Sequence, residues 1–173
     1  MAERMITLTS SDNKTYEASY DMMVKLSKTI SDLIVNLGMD EEDNETQSVS
    51  IPLDNVSPDI LQRVIRWLEY HKDDAPVPEK TEAEADRFKE KRTDDISEWD
   101  QKFLKVEQSI LYDIILAANY LDIENLLDTA CKTVANLIKN KSSEEIRKTF
   151  NIKSDFTKEE EAQIKKENAW CEE

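Results

Sequence analysis

Residues 55–71 read "NVSPDILQRVIRWLEYH" and carry the strongest helical signal in the chain. Ser57 is a favourable N-cap, and Pro58 suits the first helical position because its missing N–H would be unpaired there anyway. Apolar residues then recur at helical spacing, at Ile60, Leu61, Val64, Ile65 and Leu68. The pattern predicts a helix with one buried face that ends near His71, whose charge is favourable at a helix C-terminus.

Short strands are predicted before this helix. In "MITLTSSDNKTYEASY" (residues 5–20), apolar and polar residues alternate on either side of a polar turn, which predicts two strands in a hairpin. The alternating apolar residues are Ile6, Leu8, Tyr16 and Ala18. A third short strand is predicted in "SVSIPL" (residues 48–53), where the proline favours an edge or an end of the sheet.

Two short helices are predicted between these strands. Asp21 is an acceptable N-cap for the first, "DMMVKL". The second places four apolar residues on one face, and Gly38 closes it as a C-cap. These four residues are Ile30, Leu33, Ile34 and Leu37. The acidic run "DEEDNE" (residues 40–45) then predicts a solvated loop.

The composition changes after residue 71. Residues 72–98 are rich in charged residues and contain almost nothing apolar, which predicts a flexible linker. Trp99, Phe103 and Leu104 are then candidate anchors where ordered structure resumes. Two strong amphipathic helices follow, in "QSILYDIILAANYL" (residues 108–121) and "DIENLLDTACKTVANLIKNK" (residues 122–141).

Two further helix starts are predicted near the carboxyl end. Each is a capping box, in which a hydroxyl side chain and a glutamate three residues later bond each other's backbone N–H groups. The two pairs are Ser142 with Glu145 and Thr157 with Glu160.

The segment between these helix starts contains Phe150, Ile152 and Phe156. A small helical subdomain so late in the chain has little core left to bury these side chains. Trp170 is a further large apolar residue near the end of the chain, where segments usually fray. Together they suggest an apolar surface that another protein covers.

Charge and cysteine content narrow the class of protein. The chain has 38 Asp and Glu against 23 Lys and Arg, a formal net charge of −15, which repels a phosphate backbone and argues against nucleic acid as a partner. Neither a membrane span nor a secretory signal is found, so no membrane association and a cytoplasmic and nuclear location are expected. Cys131 and Cys171 lie far apart, which predicts reduced thiols rather than a disulfide or a zinc site.

The residue types needed for catalysis are scarce. Gly38 is the single glycine, which argues against a glycine-rich phosphate loop. His71 is the single histidine and has no second histidine or nearby cysteine with which to bind a metal or activate a nucleophile. The sequence therefore predicts a protein that is not an enzyme and needs no cofactor.

Three stretches resemble the adaptor subunit of the SCF (Skp, cullin and F-box) ubiquitin ligases, the S-phase-kinase-associated adaptor family. They are "KRTDDISEWDQKFLKV" (residues 91–106), "ILAANYLDI" (residues 115–123) and "LLDTACKTVANLIKNKSSEEIRKTFNIKSDFTKEEEAQIKKENAWCEE" (residues 126–173). The likeness covers nearly the whole chain and is strongest from Lys91 to Glu173.

The resemblance implies an α/β (α+β) fold: a BTB/POZ-type domain, in which a small sheet is packed with helices, followed by a helical extension. By this likeness residues 1–71 are the first part of that domain, 72–98 the linker, 99–139 its remaining helices and 140–173 the F-box-binding extension.

The resemblance also implies two partners, a cullin and F-box proteins. Asn119 and Tyr120 would lie on the face that docks the cullin. The F-box surface would be lined by Cys131, Val134, Ile138, Phe150, Ile152, Phe156 and Trp170.

Plainer interpretations remain for these residues. Cys131, Val134 and Ile138 lie at i, i+3 and i+7, which is also how a helix fills an ordinary core. The three residues of the connecting segment could be the core of the helical subdomain, and Trp170 could pack against its own chain. Asn119 and Tyr120 could simply end a helix.

An alternative function is a BTB-type scaffold or homodimer in an F-box-containing assembly outside ubiquitin ligation, such as a kinetochore complex, so self-association is also considered. The chain departs from the family pattern in three places: Ser143 replaces a proline, Asn125 replaces a glycine expected in a turn, and the linker carries the additional run "EKTEAEADRF".

Overall fold

The computed structural model describes residues 4–36, 38, 50–74, 96–168 and 170. Within these residues the chain forms three strands and eight helices. The strands are β1 (Met5–Ser10), β2 (Thr15–Ser19) and β3 (Ser50–Leu53). The helices are α1 (Tyr20–Leu26), α2 (Lys28–Asn36), α3 (Pro58–His71), α4 (Glu98–Phe103), α5 (Gln108–Tyr120), α6 (Glu124–Ile138), α7 (Ser143–Thr149) and α8 (Lys158–Glu167).

The chain divides into two compact units, Met1–Leu137 and Ile138–Glu173. The buried apolar core belongs to the first unit, and the second contains α7 and α8. Several sequence predictions fall outside the described residues: Leu37, the acidic loop at 40–45, residues 75–95 of the linker, and Cys171.

The sheet has the strand order β2-β1-β3. β1 and β2 pair antiparallel as the predicted hairpin, with Ile6 opposite Ala18 and Leu8 opposite Tyr16. Asn13, with φ 63°, lies in the turn between them. β3 runs parallel to β1 on the other side, so the prediction that the strand containing Pro52 lies at an edge is confirmed.

The start of α1 differs from its prediction. The helix begins at Tyr20 with Ser19 as N-cap, so the prediction of Asp21 as the cap is wrong. Asp21 lies instead in the first turn, where a carboxylate is still favourable because the helix N-terminus carries partial positive charge.

α2 buries a narrower face than predicted. Ile30 and Ile34 are buried, whereas Leu33 is 37% exposed because the helix packs mainly through its Ile30 and Ile34 side. Beyond the helix, Gly38 has a φ of 63°, a left-handed conformation that glycine adopts without steric cost, and its N–H donates to the carbonyl of Val35.

α3 confirms the strongest prediction from the sequence. Ser57 is its N-cap, Pro58 is its first residue, and all five residues of the predicted stripe are buried. The helix buries two further side chains that the stripe did not include, Trp67 at 2% and His71 at 9% exposure. Their rings stack, with centroids 4.0 Å apart.

His71 lies in the last turn of α3, as predicted, but it has a further role, because its ring is part of a buried polar cluster. Its Nε2 atom lies 3.2 Å from Oδ1 of buried Asp100 in α4, and its Nδ1 atom contacts the carboxylate of Asp74. Trp67 donates its Nε1–H to the same Asp100 oxygen at 2.8 Å. Ser97, the N-cap of α4, donates its hydroxyl to Oδ2 of Asp100 at 2.8 Å. The cluster joins the end of α3 to the start of α4.

The three anchors predicted after the linker are confirmed. Leu104 is 2% exposed, and Trp99 and Phe103 are half-buried. The Trp99 ring stacks on Tyr70 at a centroid distance of 3.9 Å and on Phe103 at 5.0 Å.

α5 and α6 match the two long helices predicted from periodicity. The hydroxyls of Ser27 and Thr29 donate to the carbonyls of Leu121 and Tyr120, at 2.6 and 3.0 Å, and so satisfy acceptors that the end of α5 leaves open. Asn125 was expected to lie in a turn, but it is the second residue of α6. At this helical position asparagine is less unfavourable than the glycine it replaces, because glycine has a lower helix propensity.

Candidate partner-binding surfaces

The seven residues predicted to bind an F-box are divided between the two units. Cys131 and Val134 belong to the first, and the other five belong to the second: Ile138, Phe150, Ile152, Phe156 and Trp170.

α6 carries both buried and open apolar residues. Its inner face is fixed by Leu126 and Ala130, which have no exposed surface. Val134 is half-buried and packs against the core, so this residue is partly a core residue, as the plainer interpretation expects. Cys131 is exposed with a free thiol, and Ile138 is 39% exposed. The side of α6 that contains these three residues is therefore only partly covered.

The apolar residues of the segment that connects α7 and α8 differ in how far they are buried. Phe150, the C-cap of α7, is half-buried, whereas Ile152 and Phe156 are 55% and 52% exposed. Asn151, with φ 52°, ends the helix and lets the N–H of Ile152 bond the carbonyl of Arg147 at 2.8 Å. Ile152 and Phe156 therefore do not form the interior of the helical unit.

A groove of about 320 Å³ lies between α7 and α8. Phe156 and Ile164, which is 39% exposed, supply its apolar lining. Two ion pairs connect the helices beside it: Lys165 with Glu144 at 2.9 Å and Arg147 with Glu161 at 3.1 Å. Sequence reasoning missed Ile164; the available signal was an isolated apolar residue within a strongly charged helix.

Both predicted capping boxes are present and define where α7 and α8 begin. The backbone N–H of Ser142 donates to Glu145 at 2.8 Å and lowers the pKa of that carboxyl. The backbone N–H of Thr157 likewise donates to Glu160 at 2.8 Å and lowers its pKa. The pKa of Glu144 is lowered by its hydrogen bond with Lys165. Since neither helix contains a buried residue, these exposed polar contacts define the helices locally.

Trp170 is the most exposed large apolar residue described, at 75%. Packing of its indole against its own chain, the plainer alternative, is therefore not observed. An exposed tryptophan is a favourable anchor for a partner because it offers a large apolar area together with a hydrogen-bond donor.

The two residues predicted to bind a cullin end α5, and both are exposed. Tyr120 continues an exposed apolar series on that helix, with Leu116 66% and Tyr112 42% exposed one and two helical turns earlier. We call Tyr112, Leu116 and Tyr120 the α5 stripe; Asn119 lies beside it. Sequence reasoning did not assign Tyr112 and Leu116, although both fall outside the face of α5 that supplies the core.

No group of three or more His, Cys, Asp and Glu side chains able to hold a metal ion occurs among the described residues. Across the described parts of the chain, no helix is long and apolar enough to cross a membrane.

Comparisons with known proteins agree with the fold and with the resemblance. Residues 4–73 match the model of the Skp1 family tetramerisation domain, which together with the three-stranded sheet confirms the BTB/POZ-type fold. Residues 124–171 match the model of the Skp1 family dimerisation domain.

Curated relatives extend over nearly the full length. The chain is 55% identical to a Skp1-related protein of Caenorhabditis elegans over 98% of this chain and 93% of the relative. It is 50% identical to a protein of Arthroderma benhamiae named E3 ubiquitin ligase complex SCF subunit sconC, over 99% and 98% of the two chains. A protein of the same name from Talaromyces stipitatus is also 50% identical, over 96% of each chain. The chain therefore belongs to the Skp1 family.

Proposed function

We propose that this chain is a non-catalytic adaptor of an SCF-type ubiquitin ligase, which bridges a cullin scaffold to F-box substrate receptors. The structural observation that carries the proposal is the exposure of Ile152, Phe156 and Trp170 in a unit whose two helices bury no residue. Membership of the Skp1 family and 50% identity to two proteins named as SCF subunits support it.

The F-box side comprises two groups of residues. The open side of α6 contributes Cys131, Val134 and Ile138. Phe150, Ile152, Phe156 and Trp170 contribute from the second unit, with Ile164 added because it lines the same groove as Phe156. All of these side chains except half-buried Val134 and Phe150 are exposed, so covering them with a receptor removes apolar surface from water and favours association.

The cullin side comprises Asn119 and the α5 stripe. Its position is rigid, because α5 buries its opposite face and its terminal carbonyls accept hydrogen bonds from Ser27 and Thr29. Tyrosine and leucine side chains on a fixed helix lose little further freedom on binding, which lowers the entropic cost of docking.

The adaptor acts by placement. By holding a receptor and its substrate on the same scaffold as a ubiquitin-loaded enzyme, it raises their effective concentration without taking part in bond chemistry. The proposal therefore needs no catalytic residue and no cofactor. We expect the protein in the cytoplasm and nucleus, which imaging of a fluorescent fusion can test.

The direct test is the solution mass of the assembly. The chain is mixed with a purified F-box domain and the amino-terminal fragment of a cullin, and the mass is measured by light scattering after gel filtration. A complex containing one copy of each is expected. Trp170→Ala should release the F-box domain alone, and the double variant Asn119→Ala/Tyr120→Ala should release the cullin alone.

Other results would change the conclusion. An F-box complex from which the cullin elutes separately would favour a scaffold in another assembly, and a pair of identical chains without either partner would favour a homodimer. Failure of both partners to bind would refute the adaptor proposal.

A further inference from the structure

One edge of the sheet remains open for hydrogen bonding. β2 lies at the outside of the order β2-β1-β3. Two backbone hydrogen bonds lie at the ends of the β1–β2 ladder: the N–H of Tyr20 donates to the carbonyl of Arg4, and the N–H of Ser10 donates to the carbonyl of Lys14. Since hydrogen-bonded pairs alternate along an antiparallel ladder, the even-numbered residues of β2 are the ones whose backbone groups bond β1. The backbone groups of Thr15 and Glu17 therefore point away from the sheet, and within the described residues they have no backbone partner.

The opposite edge is less suited to accept a strand. β3 has only four residues, Ser50–Leu53, and Pro52 has no N–H to donate. Short length and proline are two of the devices by which natural sheets block unwanted pairing. β2 contains neither device, since it has five residues and no proline.

A groove of about 810 Å³ lies beside β2, between this strand, α3 and the start of α5. Its apolar lining consists of Tyr16, Ile60, Ile65 and Ile110, of which Tyr16 and Ile110 are half-buried. Tyr16 shares the helix-facing side of β2 with buried Ala18. A strand added to β2 would therefore direct every second side chain towards this groove.

The charges of the groove indicate what kind of segment fits. Four carboxylates line it, those of Glu17, Asp59, Glu69 and Asp113, against the two guanidinium groups of Arg63 and Arg66. No ion pair is formed by any of these six side chains within the part of the chain that the structure describes. A segment with lysine or arginine would gain favourable interactions with the excess carboxylates.

A second copy of this chain fits poorly. Each copy has a formal net charge of −15, so association brings like charges together. Antiparallel pairing of two β2 strands would also place their Glu17 residues on one ribbon, where like charges are unfavourable.

We propose that the outer edge of β2 and the groove beside it bind an extended, basic segment of another protein by strand addition. Backbone hydrogen bonds to Thr15 and Glu17 provide the attachment, and every second side chain of the segment, a lysine or arginine, reaches into the groove towards its carboxylates. The groove is lined by neither Asn119 nor Tyr120 and by no residue of the second unit, so this inference does not depend on the adaptor proposal.

The test uses a synthetic, terminally blocked peptide in which valine and lysine alternate, added to the full ¹⁵N-labelled chain. At saturation the amide protons of Thr15 and Glu17 should exchange with solvent at least about tenfold more slowly. The double variant Asp59→Asn/Glu69→Gln should bind the peptide about tenfold more weakly, and the weakening should diminish with added salt. Asp32→Asn, an exposed carboxylate on α2, is the matched control and should leave affinity unchanged.

Two further peptides make the result decisive. Methylation of alternate backbone nitrogens should abolish binding, and replacing lysine by glutamate should do the same. Equal binding of either peptide, or binding without protection of Thr15 and Glu17, would overturn strand addition by a basic segment. Protection of these amides by self-association of the free chain would overturn the assignment of another protein as the occupant.

Discussion

Trp170→Ala separates binding from folding, because the indole is 75% exposed in the free chain. A tryptophan side chain can bury roughly 200 Å², so about 150 Å² remains available to a receptor. At about 25 cal/mol per Å², full coverage corresponds to at most about 4 kcal/mol. Truncating an anchor of this kind commonly costs about 2 kcal/mol or more. We therefore expect a loss of about 2–4 kcal/mol, which is a roughly 30- to 1,000-fold higher Kd.

The assay is isothermal titration calorimetry of the variant with a purified F-box domain, paired with urea unfolding of the variant alone. The free energy of unfolding should change by less than about 0.5 kcal/mol, as for other exposed substitutions. Val35→Ala is the matched control, since Val35 is 57% exposed on α2 but lies outside both proposed partner surfaces. This substitution should change neither the F-box Kd nor the free energy of unfolding.

The reasoning fails in either of two cases. An F-box Kd within about threefold of the parent value would show that the receptor does not cover the indole. A loss of stability of about 2 kcal/mol would show that Trp170 packs against its own chain in solution.

Three further predictions follow from the geometry. Leu116→Asp should weaken cullin binding at least about tenfold in calorimetry and leave F-box binding unchanged, because it places a charge in the α5 stripe. Asp100→Ala leaves the buried groups that bond its carboxylate without a partner, so it should lower the free energy of unfolding, measured in urea, by about 3 kcal/mol. Asp32→Ala is the control and should leave the free energy of unfolding unchanged. Glu145 and Glu160 have folded pKa values below their ordinary 4.5, so the stability they contribute is present above pH 4.5 and lost as the pH falls through the folded values. As the pH is lowered, hydrogen exchange should therefore show that the amides of α7 and α8 lose protection before those of α3. Loss of protection in all three helices at the same pH would refute the role of the caps.

The local elements were predictable because each leaves a periodic or capping signature. The hairpin follows from alternation, α3 from its stripe, and α7 and α8 from hydroxyl–glutamate pairs whose geometry the structure reproduces. The wrong N-cap of α1 has a comparable local origin, since Ser19 and Asp21 are both capping residues and only the backbone conformation decides between them.

Long-range contacts left no such signature. Asp100 lies 29 positions from His71 and 33 from Trp67, so no spacing rule connects the buried cluster, and each residue alone has an ordinary interpretation. The α5 stripe was missed for another reason. Leu116 is a common core residue, and periodicity does not tell an exposed apolar face from one that a further element covers.

The polar contacts of the second unit explain how it can be folded and still leave apolar side chains open. A small domain normally defines its helices by burying one face, which consumes the apolar residues. Here α7 and α8 begin at reciprocal caps and are joined by the pairs Lys165–Glu144 and Arg147–Glu161, while Ile152 and Phe156 stay more than half exposed. Exposed pairs of this kind contribute little each, so under the proposed function a receptor that covers these apolar side chains would supply much of the unit's stability. Binding and full stabilisation of this unit should therefore be coupled, and the protection of its amides should rise with F-box concentration.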